Sequence, residues 1–307
     1  MSSVSMAVDF GGIRMKNPIN TASGTFGYGW QFDGFYDVSC LGAITTKGCS
    51  AEPWPGNPAP RMHEVASGIM NSVGLQNAGV ESFVWDNGEY LQGLSDKGCQ
   101  VICQVAGHSV DEYVAAVEKY EELAPFAAGL EINISCPNIA AGGAAMGSTP
   151  EGAAGVMRAV RPRTKRPVVV KMAPARVPEI ARALEDAGAD ALSLINTIPG
   201  MAIDVRTRRS KLSRPTAGVS GPCIHPIAVR MVWEAHNAVS IPLCGIGGIA
   251  SGKDAAEFIL AGATCVSVGT ANLVDPMAAP RVLSELEEWA ASQGVSDIND
   301  LIGAFEC

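Results

Sequence analysis

Two stretches of the sequence decide the fold: Ala187-Gly188-Ala189-Asp190 leads into the apolar run Ala191–Leu194, and Ala261-Gly262-Ala263-Thr264 leads into Cys265–Val268. In both, a glycine follows a helical stretch and an apolar run begins three residues later. Glycine commonly ends helices because it adopts a left-handed backbone without steric cost, and a strand buried on both faces is apolar throughout. The repeated joint predicts a fold built from β-strand–α-helix units.

Similar apolar runs recur along the chain and predict eight buried strands, at 18–22, 43–47, 101–105, 129–134, 167–172, 191–196, 242–245 and 265–269. Helix N-caps stand between them at Ser109, Thr149 and Ser251, and the helix after Ser251 is expected to run to about Leu260. Eight alternating units favour an α/β fold of the (β/α)8 TIM-barrel type over an open doubly wound sheet. No break in composition marks a second domain, so residues 1–307 are predicted to form a single domain.

Composition and charge exclude several classes of protein. With 47% hydrophobic and 17% charged residues, the chain is not disordered, and its net charge of −9 argues against a general nucleic-acid binder. No run approaches the ~20 apolar residues of a membrane span, and no signal peptide is visible, which predicts a cytoplasmic protein. The nine cysteines are odd in number and several lie in apolar runs, as buried thiols do; no cysteine–histidine cluster predicts a metal site.

Two long segments do not fit simple strand–helix units. They span 48–79 and 197–222, and the second contains five cationic residues: Arg206, Arg208, Arg209, Lys211 and Arg214. Long connections without regular structure are usually functional loops, and barrel active sites lie after the carboxyl ends of the strands. Both segments follow such ends and are expected to be active-site loops without regular structure.

The segment Asn133-Ile134-Ser135-Cys136-Pro137-Asn138 places two amides, a hydroxyl and a thiol at one strand end. Cys136 is a candidate base or nucleophile, although a passive thiol in a turn is the alternative. Gly142 and Gly143 follow in a run of small residues that could form a lid over the site; a static tight turn is the alternative.

Further candidates lie at other strand ends. Lys47 and Lys171 each end an apolar run and are expected to point into the barrel mouth, unless they merely reach solvent. Gly247-Gly248 and Gly269-Thr270 follow the seventh and eighth predicted strands, where barrels often bind phosphate through backbone N–H groups. Tight turns alone would also explain these glycines.

Taken together, several motifs resemble those of dihydroorotate dehydrogenase. They are 22–27 (ASGTFG), 46–48 (TKG), 55–61 (PGNPAPR), 71–77 (NSVGLQN), 133–138 (NISCPN), 170–171 (VK), 195–197 (INT), 220–222 (SGP), 247–248 (GG) and 269–270 (GT), in order between about residues 7 and 290. The resemblance implies an FMN-containing (β/α)8 barrel, an oxidoreductase that converts dihydroorotate to orotate in pyrimidine biosynthesis.

The resemblance also implies a branch of the family. Cys136 in place of serine, with no N-terminal extension, is similar to the cytosolic class 1 enzymes, and 74–77 and 142–147 resemble class 1B. That class pairs with a subunit carrying FAD and a [2Fe–2S] cluster, in a two-plus-two heterotetramer, and passes electrons to NAD. The alternatives are the fumarate-linked homodimeric class 1A, another flavin-dependent pyrimidine oxidoreductase (dihydropyrimidine dehydrogenase or dihydrouridine synthase), and a barrel that has lost catalysis and serves as a scaffold.

Site residues follow from the resemblance position by position. It implies that Cys136 is the general base and assigns FMN binding to Ser23, Lys47, Gly48, Gln104, Asn133, Lys171, Ile195, Gly221, Gly247, Gly248, Gly269 and Thr270. It assigns substrate binding to Lys47, Asn71, Ser72, Val73, Gly74, Leu75, Asn133, Asn196 and Thr197. Gln104 departs from the asparagine found at this position in many relatives, and its longer side chain changes the reach of the amide.

Overall fold

The computed structural model describes residues 4–135 and 146–306. The strands of this part are β1 (Val8–Phe10), β2 (Ile13–Met15), β3 (Ile19–Thr21), β4 (Ala43–Thr45), β5 (Met62–Val65), β6 (Gly68–Asn71), β7 (Gln100–Val105), β8 (Ala127–Asn133), β9 (Val168–Lys171), β10 (Ala191–Leu194), β11 (Ile198–Gly200), β12 (Ile203–Asp204), β13 (Arg209–Ser210), β14 (Ala217–Ser220), β15 (Leu243–Ile246) and β16 (Cys265–Val268). The helices are α1 (Ser23–Phe26), α2 (Val80–Asp96), α3 (Val110–Leu123), α4 (Pro150–Val160), α5 (Val177–Asp186), α6 (His225–His236), α7 (Gly252–Leu260), α8 (Ala271–Val274) and α9 (Ala278–Ser292).

Eight parallel strands form the barrel, in the order β3-β16-β15-β10-β9-β8-β7-β4. Its two ends also meet, because Gly42 N–H donates to Ile19 O (3.1 Å) and Asn20 Nδ2 donates to Thr45 Oγ1 (2.9 Å). All eight predicted strands are present, each end within two residues of the prediction. The (β/α)8 architecture is confirmed.

The helix signals read from the sequence are also confirmed. Ser109, Thr149 and Ser251 each accept a backbone N–H three residues on through their side-chain oxygen, at 3.1–3.2 Å, and α7 ends at Leu260. Gly262 has φ +110°, and a Cβ added there would lie 2.2 Å from His236 Cγ. Only glycine therefore fits this joint between α7 and β16.

The prediction for 48–79 and 197–222 was wrong in one respect: both contain strands. β5 and β6 of the first segment pair with β11 and β14 of the second in an antiparallel sheet, ordered β11-β14-β6-β5, and β12 and β13 form a separate hairpin. These strands are only two to four residues long and partly exposed, so they carry little of the apolar alternation by which strands are recognised. The four-stranded sheet stands at the carboxyl-terminal end of the barrel, since β11 follows β10 directly.

The opposite end of the barrel is covered by the hairpin of β1 and β2. A Cβ on Gly129 in β8 would lie 2.6 Å from Ile13 Cδ1, which shows how closely β2 packs there. The carboxyl-terminal end is therefore the one left for a site.

The structure also bears on two further questions: whether the cysteines are buried, and whether any described helix could cross a membrane. Among the cysteines in the described ranges, all of them free thiols, Cys49, Cys99, Cys103, Cys244 and Cys265 are buried, Cys40 is half-buried and Cys223 is exposed. No helix within those ranges is both long and apolar enough to cross a membrane.

Candidate active site

The predicted site residues that the structure describes gather at the carboxyl-terminal end of the barrel. Ser23 follows β3, Lys47 and Gly48 follow β4, Gln104 lies near the end of β7, Asn133 and Lys171 end β8 and β9, residues 195–197 follow β10, and the two glycine motifs follow β15 and β16. Parallel strands in a closed barrel deliver these ends to one rim. Cys136, Gly142 and Gly143 lie outside the described residues, so the base and the lid stay predictions.

The antiparallel sheet brings the two long segments together over this rim. Asn71, the last residue of β6, is paired with Gly218 of β14, and Val219 of β14 is paired with Ile198 of β11. Thr197 packs on Gly218, where an added Cβ would lie 2.0 Å from Thr197 Oγ1. Residues predicted to bind one ligand from distant parts of the sequence thus become neighbours.

The loop after β6 is held by Asn57. Asn57 Nδ2 donates to Ser72 O (2.9 Å), and Asn57 N–H donates to Val73 O (3.0 Å). Gly74 has φ +73° and leaves room for Asn57, since a Cβ there would lie 2.8 Å from Asn57 Cγ. Ser72 Oγ is buried and has no hydrogen-bond partner among the described residues. A buried hydroxyl of this kind has hydrogen-bonding capacity left for a ligand or a water molecule.

A buried carboxylate orients the amides at the rim. Glu131 is 3% exposed, and its two oxygens accept from Gln104 Nε2 (2.5 Å) and from Ser193 Oγ (2.6 Å). Gln104 then presents its oxygen to Asn133 Nδ2 (3.3 Å). A Cβ on Gly48 would lie 2.5 Å from this oxygen, so the glycine makes room for the longer side chain. Both the nitrogen and the oxygen of the Gln104 amide are therefore hydrogen-bonded within the protein, and these bonds hold Asn133 in one orientation.

The chain of hydrogen bonds continues to Asn196. Asn133 Oδ1 accepts from the N–H (3.2 Å) and the hydroxyl (2.6 Å) of Ser135, and that hydroxyl in turn accepts from Asn196 Nδ2 (2.6 Å). The Ser135 proton is used on Asn133, so Asn196 must offer an N–H group to the serine. The Asn196 oxygen has no partner in the described ranges. Asn196 can therefore present both an acceptor and a second N–H to a ligand.

Removal of the Glu131 carboxylate is expected to destabilise the fold. Glu131→Leu leaves Gln104 Nε2 and Ser193 Oγ buried without an acceptor, and each such group costs about 1–3 kcal/mol. We therefore expect the free energy of unfolding to fall by about 2–4 kcal/mol, measured by chemical denaturation.

Glu131→Gln is the matched control, because its amide can still serve both neighbours and its size is the same. It is expected to stay within about 1 kcal/mol of the wild type. Equal stability of the leucine variant and the wild type would contradict the role assigned to this carboxylate.

Lys171 is a buried cation facing the same rim. It is 7% exposed, and its ammonium makes no hydrogen bond or ion pair with any described residue. It is paired in register with Asn133 on β8 and with Ser193 on β10, so the three side chains point into the barrel together. A lysine with so little exposed surface is stabilised when an anion or a carbonyl oxygen contacts its ammonium. A ligand with an anionic or carbonyl edge would satisfy it.

The glycine motifs form a cradle between the loops after β14 and β15. Gly221, Gly247 and Gly248 have φ +110°, +147° and +70°. A Cβ on Gly248 would lie 2.8 Å from Gly221 O, and one on Gly247 would lie 2.5 Å from Ala228 Cβ. Glycine is thus required at these positions both by backbone conformation and by space.

Three polar contacts, made by Thr270 and His225, tie the cradle to its neighbours. Thr270 Oγ1, after β16, donates to Ser220 Oγ (2.8 Å), and the His225 ring contacts Gly247 O through Nδ1 (3.0 Å) and Glu257 through Nε2 (3.2 Å). The helix α6 begins at His225, just beyond Gly221. Backbone N–H groups beside a helix N-terminus suit a phosphate group. Gly269 is different, since a Cβ there would make only ordinary contacts, with Ala22 Cβ at 3.4 Å and Thr25 Oγ1 at 3.8 Å.

Sequence reasoning missed several residues of this site: Glu131, Ser193, Ser220 and His225. Glu131 carried a signal, because it is the one acid within the apolar run 129–134. Ser220 stands in the motif 220–222, whereas Ser193 and His225 carried no signal, since their roles depend on register and on loop packing.

Comparison with known proteins gives one consistent result. A family model described as dihydroorotate dehydrogenase matches residues 5–289. Relatives named "Dihydroorotate dehydrogenase B (NAD(+)), catalytic subunit" include those of Geobacter metallireducens, 46% identical over 98% of both chains, and of Geotalea daltonii and Geobacter sulfurreducens, each 47% identical over 100% of both chains. The similarity covers the barrel and both long segments.

Proposed function

The chain belongs to the dihydroorotate dehydrogenase family, and from this premise we propose that it is the FMN-dependent catalytic subunit of an NAD-linked enzyme that oxidises dihydroorotate to orotate in pyrimidine biosynthesis. The observation that carries the proposal is Lys171, a largely buried lysine whose ammonium makes no hydrogen bond or ion pair with a described residue, beside an oriented set of amides. The residues fit FMN, because the glycine cradle suits its phosphate and the ammonium suits the carbonyl edge of its ring system.

The chemistry divides among the residues of the chain. When bound, FMN supplies the acceptor for the hydride that leaves C6 of dihydroorotate. Cys136 takes the proton from C5 as general base. Lys47, half-buried after β4, pairs with the substrate carboxylate as a point charge. Asn196 offers an acceptor and a donor to the ring edge, and Ser72 offers its unused hydroxyl.

A separate subunit completes the proposed enzyme. The name "catalytic subunit" of the relatives supports an electron-transfer partner, to which we assign FAD and a [2Fe–2S] cluster in a two-plus-two assembly in the cytoplasm. Within 4–135 and 146–306, no group of three or more His, Cys, Asp or Glu side chains could hold a metal ion. We therefore place the cluster on the partner and FMN on this chain.

Turnover with and without the partner tests this division. The purified chain should contain FMN whose visible absorption is bleached by dihydroorotate, yet it should not reduce NAD. Co-expression with a subunit carrying FAD and [2Fe–2S] should establish NAD reduction. Efficient NAD turnover by the chain alone would contradict the division, and rapid turnover with fumarate would place the chain in class 1A. A flavin that dihydroorotate does not bleach would refute the proposed activity itself.

A further inference from the structure

The hairpin of β12 and β13 concentrates positive charge on a protein of net charge −9. Residues 204–214 contain one acid, Asp204, and five cations, which are Arg206, Arg208, Arg209, Lys211 and Arg214, all exposed. Asp204 offsets only one of these five positive charges; its Oδ1 accepts from the backbone N–H groups of Thr207 (3.2 Å) and Arg206 (2.9 Å), which lower its pKa, and the nearby Lys211 helps to lower it. Four of the five cations make no side-chain hydrogen bond or ion pair with any residue that the structure describes.

Several other arginines of the chain are paired with acids. Arg161 contacts Asp190 at 2.6 Å, Arg166 contacts Glu121 at 2.9 Å, and Arg281 contacts Asp275 at 3.1 Å. A cluster of unpaired like charges is unfavourable through its own repulsion and creates a positive potential around it. The hairpin therefore concentrates positive charge on an acidic protein.

The hairpin is attached to the loop that faces the candidate site. Ser213 N–H donates to Pro60 O (2.9 Å), and Arg214 Nη2 donates to Asn57 Oδ1 (3.2 Å). Asn57 in turn holds Ser72 and Val73, which are proposed to bind the substrate. The positive charge thus lies beside the entrance to the site.

A groove of about 620 Å³ runs between the hairpin and β5. It is lined by His63, Asp204, Thr207, Arg209, Ser210 and Lys211. Its lining carries two permanent cations, Arg209 and Lys211, against one carboxylate, Asp204, so it suits an anionic ligand better than an apolar one.

We propose that the hairpin 204–214 is an electrostatic capture surface that raises the rate at which the carboxylate substrate reaches the active site. The inference rests on the proposed function, which supplies an anionic substrate. The protein as a whole repels such an anion, and a local positive surface overcomes this within about one Debye length, ~8–10 Å at moderate salt. Steering of this kind raises association rates by about 10–10³-fold and weakens as salt is added.

Association of orotate with the FMN-loaded enzyme tests the proposal, followed by rapid mixing through the flavin absorption. In the triple variant Arg206→Gln, Arg208→Gln, Arg209→Gln, the association rate constant should fall about 5–10-fold at low salt, and the difference should vanish near about 0.5 M salt. The dissociation rate constant should not change. The matched control is Arg158→Gln, Lys165→Gln, Arg182→Gln, which removes the same charge from exposed positions on α4, before β9 and on α5. It should associate within about twofold of the wild type.

The possible results of this experiment distinguish failure of the capture surface from failure of the proposed function. A triple variant that associates like the wild type at low salt overturns the capture surface, and so does an effect confined to dissociation, which would indicate a direct contact with bound ligand. An equal loss in the control variant also overturns it, because net charge alone would then explain the rate. A wild-type enzyme that carries FMN but binds no orotate refutes the proposed function instead.

Discussion

Replacement of Cys136 by alanine is expected to slow the reduction of bound flavin by dihydroorotate by about 10²-fold or more. The proton that must leave C5 is bound to carbon and is weakly acidic, so its transfer depends on a positioned base. FMN should stay bound, because the cradle and Lys171 lie on other strands and their loops. Rapid mixing of dihydroorotate with the oxidised variant measures the reduction rate, and the flavin-to-protein ratio measures retention.

Two further variants sharpen this prediction. Cys136→Ser should retain partial activity that rises with pH, because a hydroxyl loses its proton less readily than a thiol. Cys40→Ala removes a half-buried thiol that precedes β4, at the opposite end of the barrel, and should react at the wild-type rate. Cys49 cannot substitute for the base, since burial raises its pKa to about 11 and keeps it protonated near neutral pH. A Cys136→Ala enzyme that is reduced at the wild-type rate would remove Cys136 from this role.

The barrel was predictable because its signals are local. A glycine after a helix and an apolar run three residues later define one unit, and the joints at Gly188 and Gly262 have the positive φ that this pattern implies. The N-caps at Ser109, Thr149 and Ser251 are likewise decided within four residues of chain. Eight such units leave few architectures other than a closed barrel.

The sheet over the rim was not predictable in the same way. β6 pairs with β14, which lies far along the chain, and neither strand has a clear alternation of apolar and polar residues. Its pairing depends on where the barrel places β10 and the loop after β4, so it appears only once the fold is assembled. The candidate residues Asn71 and Thr197 could be named from motifs, but their proximity could not.

The polar contacts beneath the rim also escaped the sequence. Gln104 and Glu131 are register partners on adjacent strands, and no spacing within either strand reveals this. Gln104 was assigned to FMN binding although its side chain is longer than the asparagine of many relatives. The structure gives this side chain two protein partners, which supports an action of Gln104 through Asn133.

Gly248→Ala is expected to weaken FMN binding by about 10–100-fold. The added Cβ would lie 2.8 Å from Gly221 O and 2.8 Å from His225 Cβ, so the loops after β14 and β15 must move apart. These loops form the proposed phosphate cradle, and a hydrogen bond to a charged group contributes about 1.5–3 kcal/mol. Loss of one such bond gives the expected change in affinity. Titration of the apoprotein with FMN, followed by flavin fluorescence, measures it.

Gly98→Ala separates this clash from backbone strain. Gly98 has φ +80°, similar to the +70° of Gly248, and it follows α2, away from the cradle. A Cβ added at Gly98 meets nothing within 4 Å. Both variants should lose about 1–2 kcal/mol of stability from the left-handed backbone of alanine. Only the Gly248 variant should lose FMN affinity, because only there does the new atom meet the neighbouring loop. If both variants bind FMN as tightly as the wild type, the phosphate does not lie between these loops, and the cradle must be sought elsewhere on the rim.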